Sequence, residues 1–299
     1  MSTARLELRG IFPPLATPFA ADGGVELTAL RANVQKYNRS GVAGYVVVGS
    51  TGESVYLSEG EKVKIWEAVR GAADAGKILI AGTGCEATAE TIALTRRAAG
   101  LGYHAVLVRT PSYFRSQMTH AALERHFRAV ADASPIPVLI YSVPQFTGLK
   151  VEAPLVARLA EHPNILGLKE SSGDVQLMAE IRRTTPAEFQ VLVGSASVLY
   201  PAMCVGAQGA VLAVACALPE LCVEVYNAAC AGDHARARAL QERLLEPTAA
   251  VTTRFGIAGL KFAMELRGYV GGAPRPPLLP LDDAARTEIK RIFTSLGGS

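Results

Sequence analysis

Ile165-Leu166-Gly167-Leu168-Lys169, closed by Glu170-Ser171-Ser172-Gly173, is the stretch in which the fold is most legible. It is apolar without alternation up to the lysine, which suits a strand covered on both faces, as in a parallel sheet under helices. Small polar residues and a glycine then end it. Seven more runs of this kind lie at 10–17, 44–48, 78–81, 105–109, 138–141, 191–193 and 210–214, which makes eight candidate strands.

Between these runs the apolar period changes from that of a strand to that of a helix. Leu27, Leu30, Val34 and Tyr37 form one apolar stripe. Ser58 and Glu61 have the spacing of a capping box, and Val63, Trp66 and Val69 follow on one face. Residues 121–133, 153–160, 175–183 and 218–231 read the same way. Eight strand-then-helix units point to an α/β fold, a closed (β/α)8 TIM barrel. An open doubly wound sheet is the structural alternative, but no G-x-G-x-x-G opens a helix after a strand to support it. Past the eighth unit, 233–245, 252–266 and 282–295 read as helices, with Pro274, Pro276, Pro277 and Pro280 separating the last two. The expected organisation is a barrel over 1–232 and a helical extension over 233–299 packed on it.

Composition excludes several function classes. The chain has 299 residues, 49% hydrophobic and 19% charged, enough to bury a large core. Its 30 basic and 27 acidic residues are interspersed, so no nucleic-acid footprint is seen. No run of about 18 apolar residues offers a membrane span, and residues 1–9 lack the hydrophobic region of a secretory signal. Cys85, Cys204, Cys216, Cys222 and Cys230 are odd in number and form no C-x-x-C. These features lead to the expectation of a reduced, cytoplasmic protein. The five histidines show no metal-ligand spacing, and no metal site is expected.

In such a barrel, chemistry collects at the C-terminal ends of the strands. Lys169 ends the sixth run, and alternation places Ile165, Gly167 and Lys169 on one face. If that face is the interior, the amine is desolvated, which favours the neutral form that attacks a ketone. Gly167 would leave room for the long side chain. A lysine that ends its strand in solvent is the competing reading. Tyr141 ends the neighbouring run, and a phenol beside an amine can move protons during imine formation and C–C cleavage. Alone, it reads more simply as a core tyrosine. Gly49-Ser50-Thr51-Gly52 offers backbone N–H groups and two hydroxyls, a donor set suited to a carboxylate. An ordinary glycine turn is the plainer reading of that motif taken alone.

Taken together, Gly49-Ser50-Thr51-Gly52-Glu53, Thr110-Pro111 with Tyr113, Tyr141-Ser142-Val143-Pro144 with Thr147-Gly148, and Gly167-Leu168-Lys169-Glu170 resemble the signature of the dihydrodipicolinate synthase / N-acetylneuraminate lyase family. The resemblance runs from about residue 10 to about 293, with the motifs in order. It implies that Lys169 forms an imine with pyruvate or another 2-oxo acid, that Tyr141 is the proton shuttle, and that Ser50 and Thr51 hold the substrate carboxylate. It also implies that Tyr113 reaches into a neighbouring subunit's site, that Val211 contributes backbone to the 2-oxo acid, and that the chain is a homotetramer of tight dimers. No cofactor is implied.

Within the family, Ala81-Gly82-Thr83-Gly84-Cys85-Glu86, Ser134-Pro135-Ile136-Pro137, Gly173-Asp174-Val175, Leu245-Glu246-Pro247 and 251–257 look most like 4-hydroxy-2-oxoglutarate aldolases, as does Ser171 after the lysine. Dihydrodipicolinate synthases usually carry an arginine two residues after the proline of the tyrosine motif. Here that residue is Phe146, which cannot bind a carboxylate. Arg109 and Arg115 are then the candidates for a far carboxylate. Lysine-regulated members typically have a tyrosine where Ser112 stands and an asparagine where Glu86 stands, so lysine is not expected to inhibit this chain. The leading expectation is retro-aldol cleavage of 4-hydroxy-2-oxoglutarate to pyruvate and glyoxylate. The alternatives are dihydrodipicolinate synthase itself, another 2-oxo acid lyase or dehydratase, and, outside enzymes, a 2-oxo acid sensor.

Overall fold

A computed structural model describes residues 5–296. The reading of residues 1–9 and the end of the expected extension therefore fall partly outside the described residues.

Eight parallel strands form one sheet: β1 (Gly10–Ile11), β2 (Gly44–Val47), β3 (Ile78–Gly82), β4 (Ala105–Arg109), β5 (Val138–Ser142), β6 (Ile165–Glu170), β7 (Gln190–Val193) and β8 (Gly209–Ala210). Their order is β1-β8-β7-β6-β5-β4-β3-β2. The sheet closes between β1 and β2 by a parallel bridge of Pro14 with Val46, backed by Leu15 N–H donating to Val46 O at 2.9 Å. This is the (β/α)8 barrel expected from the sequence. Leu8, Phe12, Val46, Ile80, Leu107, Leu139, Leu166, Leu192 and Val211 fill its interior. A second apolar layer, including Trp66, Phe127 and Ile181, lies between strands and helices.

The first and last strands in the chain are shorter than the sequence implied. Pro13 and Pro14 have no N–H to donate, so the ladder after Ile11 thins to isolated contacts. After Ala210 the chain keeps one ladder bond, Val211 N–H to Val193 O at 2.9 Å, and then tightens into a 3-10 turn at Ala213–Cys216. The capping box on the helix Glu59–Ala72 forms in full: Ser58 Oγ accepts from Glu61 N–H and the Glu61 carboxylate accepts from Ser58 N–H.

Two expectations need correction. The helix expected to end at 245 continues as His234–Ala249 through Pro247 and passes into a π-helical turn at Ala250–Arg254 before the helix Gly256–Leu266. Pro247 removes one helical N–H, and a widened turn follows it, where the sequence suggested a break. In β6 the alternation is interrupted. Val138 pairs with Ile165 but Leu139 pairs with Gly167, so Leu166 is an extra residue. Ile165 consequently packs in the outer layer while Leu166 turns inward. Gly167 and Lys169 still pair with the inward-facing Leu139 and Tyr141. The glycine has a different cause from the one expected: a Cβ on Gly167 would lie 2.1 Å from Gln190 O, so the close approach of β7 excludes any side chain there.

Candidate active site

β5 and β6 place Tyr141 and Lys169 as register partners at the C-terminal end of the barrel. Lys169 is 5% exposed. Its Nζ lies 4.1 Å from the centre of the Tyr141 ring, a cation–π distance that keeps amine and phenol together. The solvent-exposed reading of this lysine is therefore set aside. Tyr141 Oη lies 3.4 Å from Ser50 Oγ, which joins the turn after β2 to the pair. That spacing is long for an O–H···O bond.

The turn has an unusual backbone. Ser50–Gly52 is a short 3-10 helix, flanked by Val48 at φ 63° and Glu53 at φ 57°. Left-handed conformations are poor for non-glycine residues and poorest for β-branched ones, at roughly 1–3 kcal/mol each, and they concentrate at functional sites. Thr17 Oγ1 donates to Gly52 O at 2.8 Å. Glu53 is buried, with Oε1 2.6 Å from Lys261 Nζ and Oε2 accepting from Arg275 N–H at 2.8 Å. Thr51 is also buried. Glu53 belongs to a motif visible in the sequence but has no role assignable from it, and neither Val48 nor Lys261 stands out there at all. Strained backbone and pairing across most of the chain leave no local pattern.

Other expected residues are placed as follows. Val211 lies in the barrel interior with its N–H taken by Val193 O. Ser171 is buried, its carbonyl accepts from Gln145 Nε2, and its Oγ has no hydrogen-bond partner among the described residues. Glu170, fully buried beside it, has its carboxyl pushed up by burial, and Ser172 N–H donates to its Oε1 at 2.9 Å.

Tyr113 is 81% exposed and stacks edge-on against Phe114, so within one chain it is not joined to Tyr141 or Ser50. Glu86 holds its loop: Oε2 accepts the N–H of Ser112 at 2.8 Å and of Tyr113 at 2.9 Å, while Oε1 pairs with Arg109 at 2.7 Å. Burial acts to raise the Glu86 carboxyl, but the Tyr113 N–H, the Arg109 guanidinium and the Ser112 N–H together hold it below the ordinary range. Arg109 is thus engaged, whereas Arg115 lies against the segment that carries Phe146, since a Cβ on Gly148 would sit 2.5 Å from its Nη1. Phe146 is 72% exposed. Among the described residues no group of three or more His, Cys, Asp or Glu is arranged to hold a metal, and no helix is long and apolar enough to cross a membrane.

The fold and these strand-end groups define a (β/α)8-barrel enzyme. The chain belongs to the dihydrodipicolinate synthetase family, whose model matches residues 7–296. It is 38% identical to 4-hydroxy-tetrahydrodipicolinate synthase of Exiguobacterium sp., over 94% of this chain and 95% of that protein. It is 37% identical to the enzyme of the same name from Methanothrix thermoacetophila, over 96% and 97%. Among solved structures, dihydrodipicolinate synthase DapA-2 of Bacillus anthracis matches with a TM-score of 0.93 and 31% identity, covering 97% of this chain and 99% of that one. The chloride-inhibited dihydrodipicolinate synthase of Acinetobacter baumannii complexed with pyruvate matches with 0.93 and 30%, covering 97% and 99%. The expectation of a carbon–carbon lyase holds at that level. These names match the reaction ranked second from the sequence, and the closer likeness to 4-hydroxy-2-oxoglutarate aldolases is not confirmed by them.

Proposed function

We propose that this chain is a pyruvate-dependent class I aldolase that makes or breaks a carbon–carbon bond through an imine on Lys169. The observation that carries the reading is the buried Lys169 amine over the Tyr141 ring, with Ser50 beside the phenol. Ser50 and Thr51 hold the pyruvate carboxylate, and the Val211 carbonyl and Ser171 are assigned to the same substrate. Lys169 attacks C2, water leaves, and the imine acts as electron sink. Loss of a C3 proton gives the enamine, whose C3 attacks an aldehyde. Tyr141 carries protons to and from the reacting oxygens. Hydrolysis of the imine frees the enzyme. No metal or organic cofactor takes part.

The names of the relatives support aspartate semialdehyde as the aldehyde, which makes the chain a 4-hydroxy-tetrahydrodipicolinate synthase. A second reading, the reverse aldol cleavage of 4-hydroxy-2-oxoglutarate to pyruvate and glyoxylate, is favoured by Phe146, which stands where a carboxylate-binding arginine is expected. In either case we assign the far carboxylate to Arg115, whose guanidinium lies against Gly148 on the Phe146 segment and, unlike that of Arg109, is not paired with Glu86. We further place the protein in the cytoplasm as a homotetramer of tight dimers. The exposed Tyr113–Phe114 pair supports an interface there.

A substrate panel decides between the two reactions. Pyruvate consumption that depends on aspartate semialdehyde establishes the synthase. Release of pyruvate and glyoxylate from 4-hydroxy-2-oxoglutarate, with aspartate semialdehyde inert, establishes the aldolase. Turnover of neither, nor of any other 2-oxo acid, refutes the enzymatic reading.

A further inference from the structure

The turn that bears Ser50 and Thr51 is fastened from the far end of the chain. Glu53 closes that turn, and its side chain and that of Lys261 are each only 1% exposed. Besides the 2.6 Å contact with Glu53 Oε1, Lys261 Nζ donates to Ala273 O at 2.8 Å. Lys261 lies on the helix Gly256–Leu266. Arg275, whose backbone N–H meets Glu53 Oε2, clamps Glu61 with its two terminal guanidinium nitrogens at 2.6 and 3.0 Å and donates to Gly23 O and Tyr56 O. Lys261 and Arg275 both lie over the Phe19 ring, 4.4 and 4.3 Å from its centre.

A buried ion pair is a poor source of stability, because the cost of desolvating two charges offsets their attraction, and apolar residues of similar volume often do as well. What this pair fixes is the end of a strained turn. Val48 and Glu53 hold positive φ at its two ends, and such conformations persist only where the surroundings impose them. Ser50 and Thr51 lie just ahead of Glu53 and would move with it.

We propose that Glu53 and Lys261 are positioning residues for the 2-oxo acid: their buried ion pair, with Arg275, locks the turn in the geometry that presents Ser50 and Thr51 to the substrate carboxylate. This rests on the reading of that turn as the carboxylate site.

The test uses the full chain and pyruvate, with borohydride trapping of the imine as readout. Glu53→Gln strands the Lys261 charge, so it lowers the melting temperature. The double variant Glu53→Gln/Lys261→Met removes both charges and regains most of that loss. In the double variant the pyruvate concentration for half-maximal trapping still rises, by about ten- to a hundredfold, as expected for a misplaced binding group. The maximal label remains one per chain. Thr51→Val, measured alongside, raises the same half-saturation and thereby tests the carboxylate reading by itself. A folded double variant with wild-type half-saturation, beside a raised value in Thr51→Val, overturns the positioning role and leaves the carboxylate reading standing. Wild-type values in both variants overturn the two together.

Discussion

Removing the Tyr141 hydroxyl while keeping its ring separates proton transfer from binding. In Tyr141→Phe the aromatic face under Lys169 Nζ, 4.1 Å away, remains, and so does the packing with Leu139, Leu192 and Val211. The substitution removes only the approach of Oη to Ser50 Oγ at 3.4 Å. A neutral hydrogen bond contributes about 0.5–1.5 kcal/mol, and one this long belongs at the lower end, so the melting temperature should shift little. A positioned proton donor and acceptor typically contributes about 10²–10⁴ in rate, equivalent to about 3–5 kcal/mol of barrier. The variant should therefore trap pyruvate to the same final extent as the parent while turning over about 10²–10⁴ times more slowly. Steady-state turnover, trapping amplitude and thermal unfolding on one preparation give all three numbers. Turnover within about threefold of the parent removes Tyr141 from proton transfer. Loss of trapping together with loss of stability makes it a structural residue.

Three further outcomes are expected. Sedimentation should give a homotetramer, and Tyr113→Ala should lower turnover while leaving pyruvate binding nearly intact; a fully active monomer contradicts both. Lysine titrated into the millimolar range should leave the rate unchanged, because Ser112 offers no phenol and the Glu86 carboxylate is already held by Arg109 and two backbone N–H groups; saturable inhibition at low lysine would refute this. His126 is buried, with Thr88 Oγ1 at 2.9 Å from Nδ1, and burial, with a smaller contribution from Arg109, pushes its imidazole down to about 4 against the opposing pull of Glu86. The unfolded chain takes up this proton near 6.5 and the folded chain only near 4, so stability is lost as pH falls through that window, by up to about 3 kcal/mol. Urea unfolding of His126→Asn at pH 7, 5 and 4 should show a flatter loss than the parent, and an unchanged slope would exclude His126 as its source.

The barrel was legible because its strands are buried on both faces and read as uninterrupted apolar runs, with a change of period between them. The same property hid the bulge at Leu166, since a run without alternation carries no mark of an extra residue. Lys169 and Tyr141 could be found because each is a polar residue ending such a run. Ser50 and Thr51 stood out through their flanking glycines. The positive φ at Val48 and Glu53 could not be read, because neither is a residue type that marks the left-handed region. The Lys261–Glu53 pair joins segments so far apart in the chain that only the fold brings them together. The extent of the helix Ala153–Ala160 matched its apolar spacing, whereas the gap left between 245 and 252 is filled by the continuing helix and its π-helical turn.

The measurement that tests the central claim most directly is borohydride reduction in the presence of pyruvate, followed by peptide mapping. Two other lysines make the site assignment informative. Lys261 is buried, but its amine is held by Glu53 and by the Ala273 carbonyl. Lys150 is exposed and paired with Asp174 at 2.8 Å. Neither amine is free to attack a ketone. The account predicts a single reduced pyruvyl group per chain, located on Lys169 and absent from Lys169→Met. A label on Lys261 or Lys150, or no label at all, contradicts it.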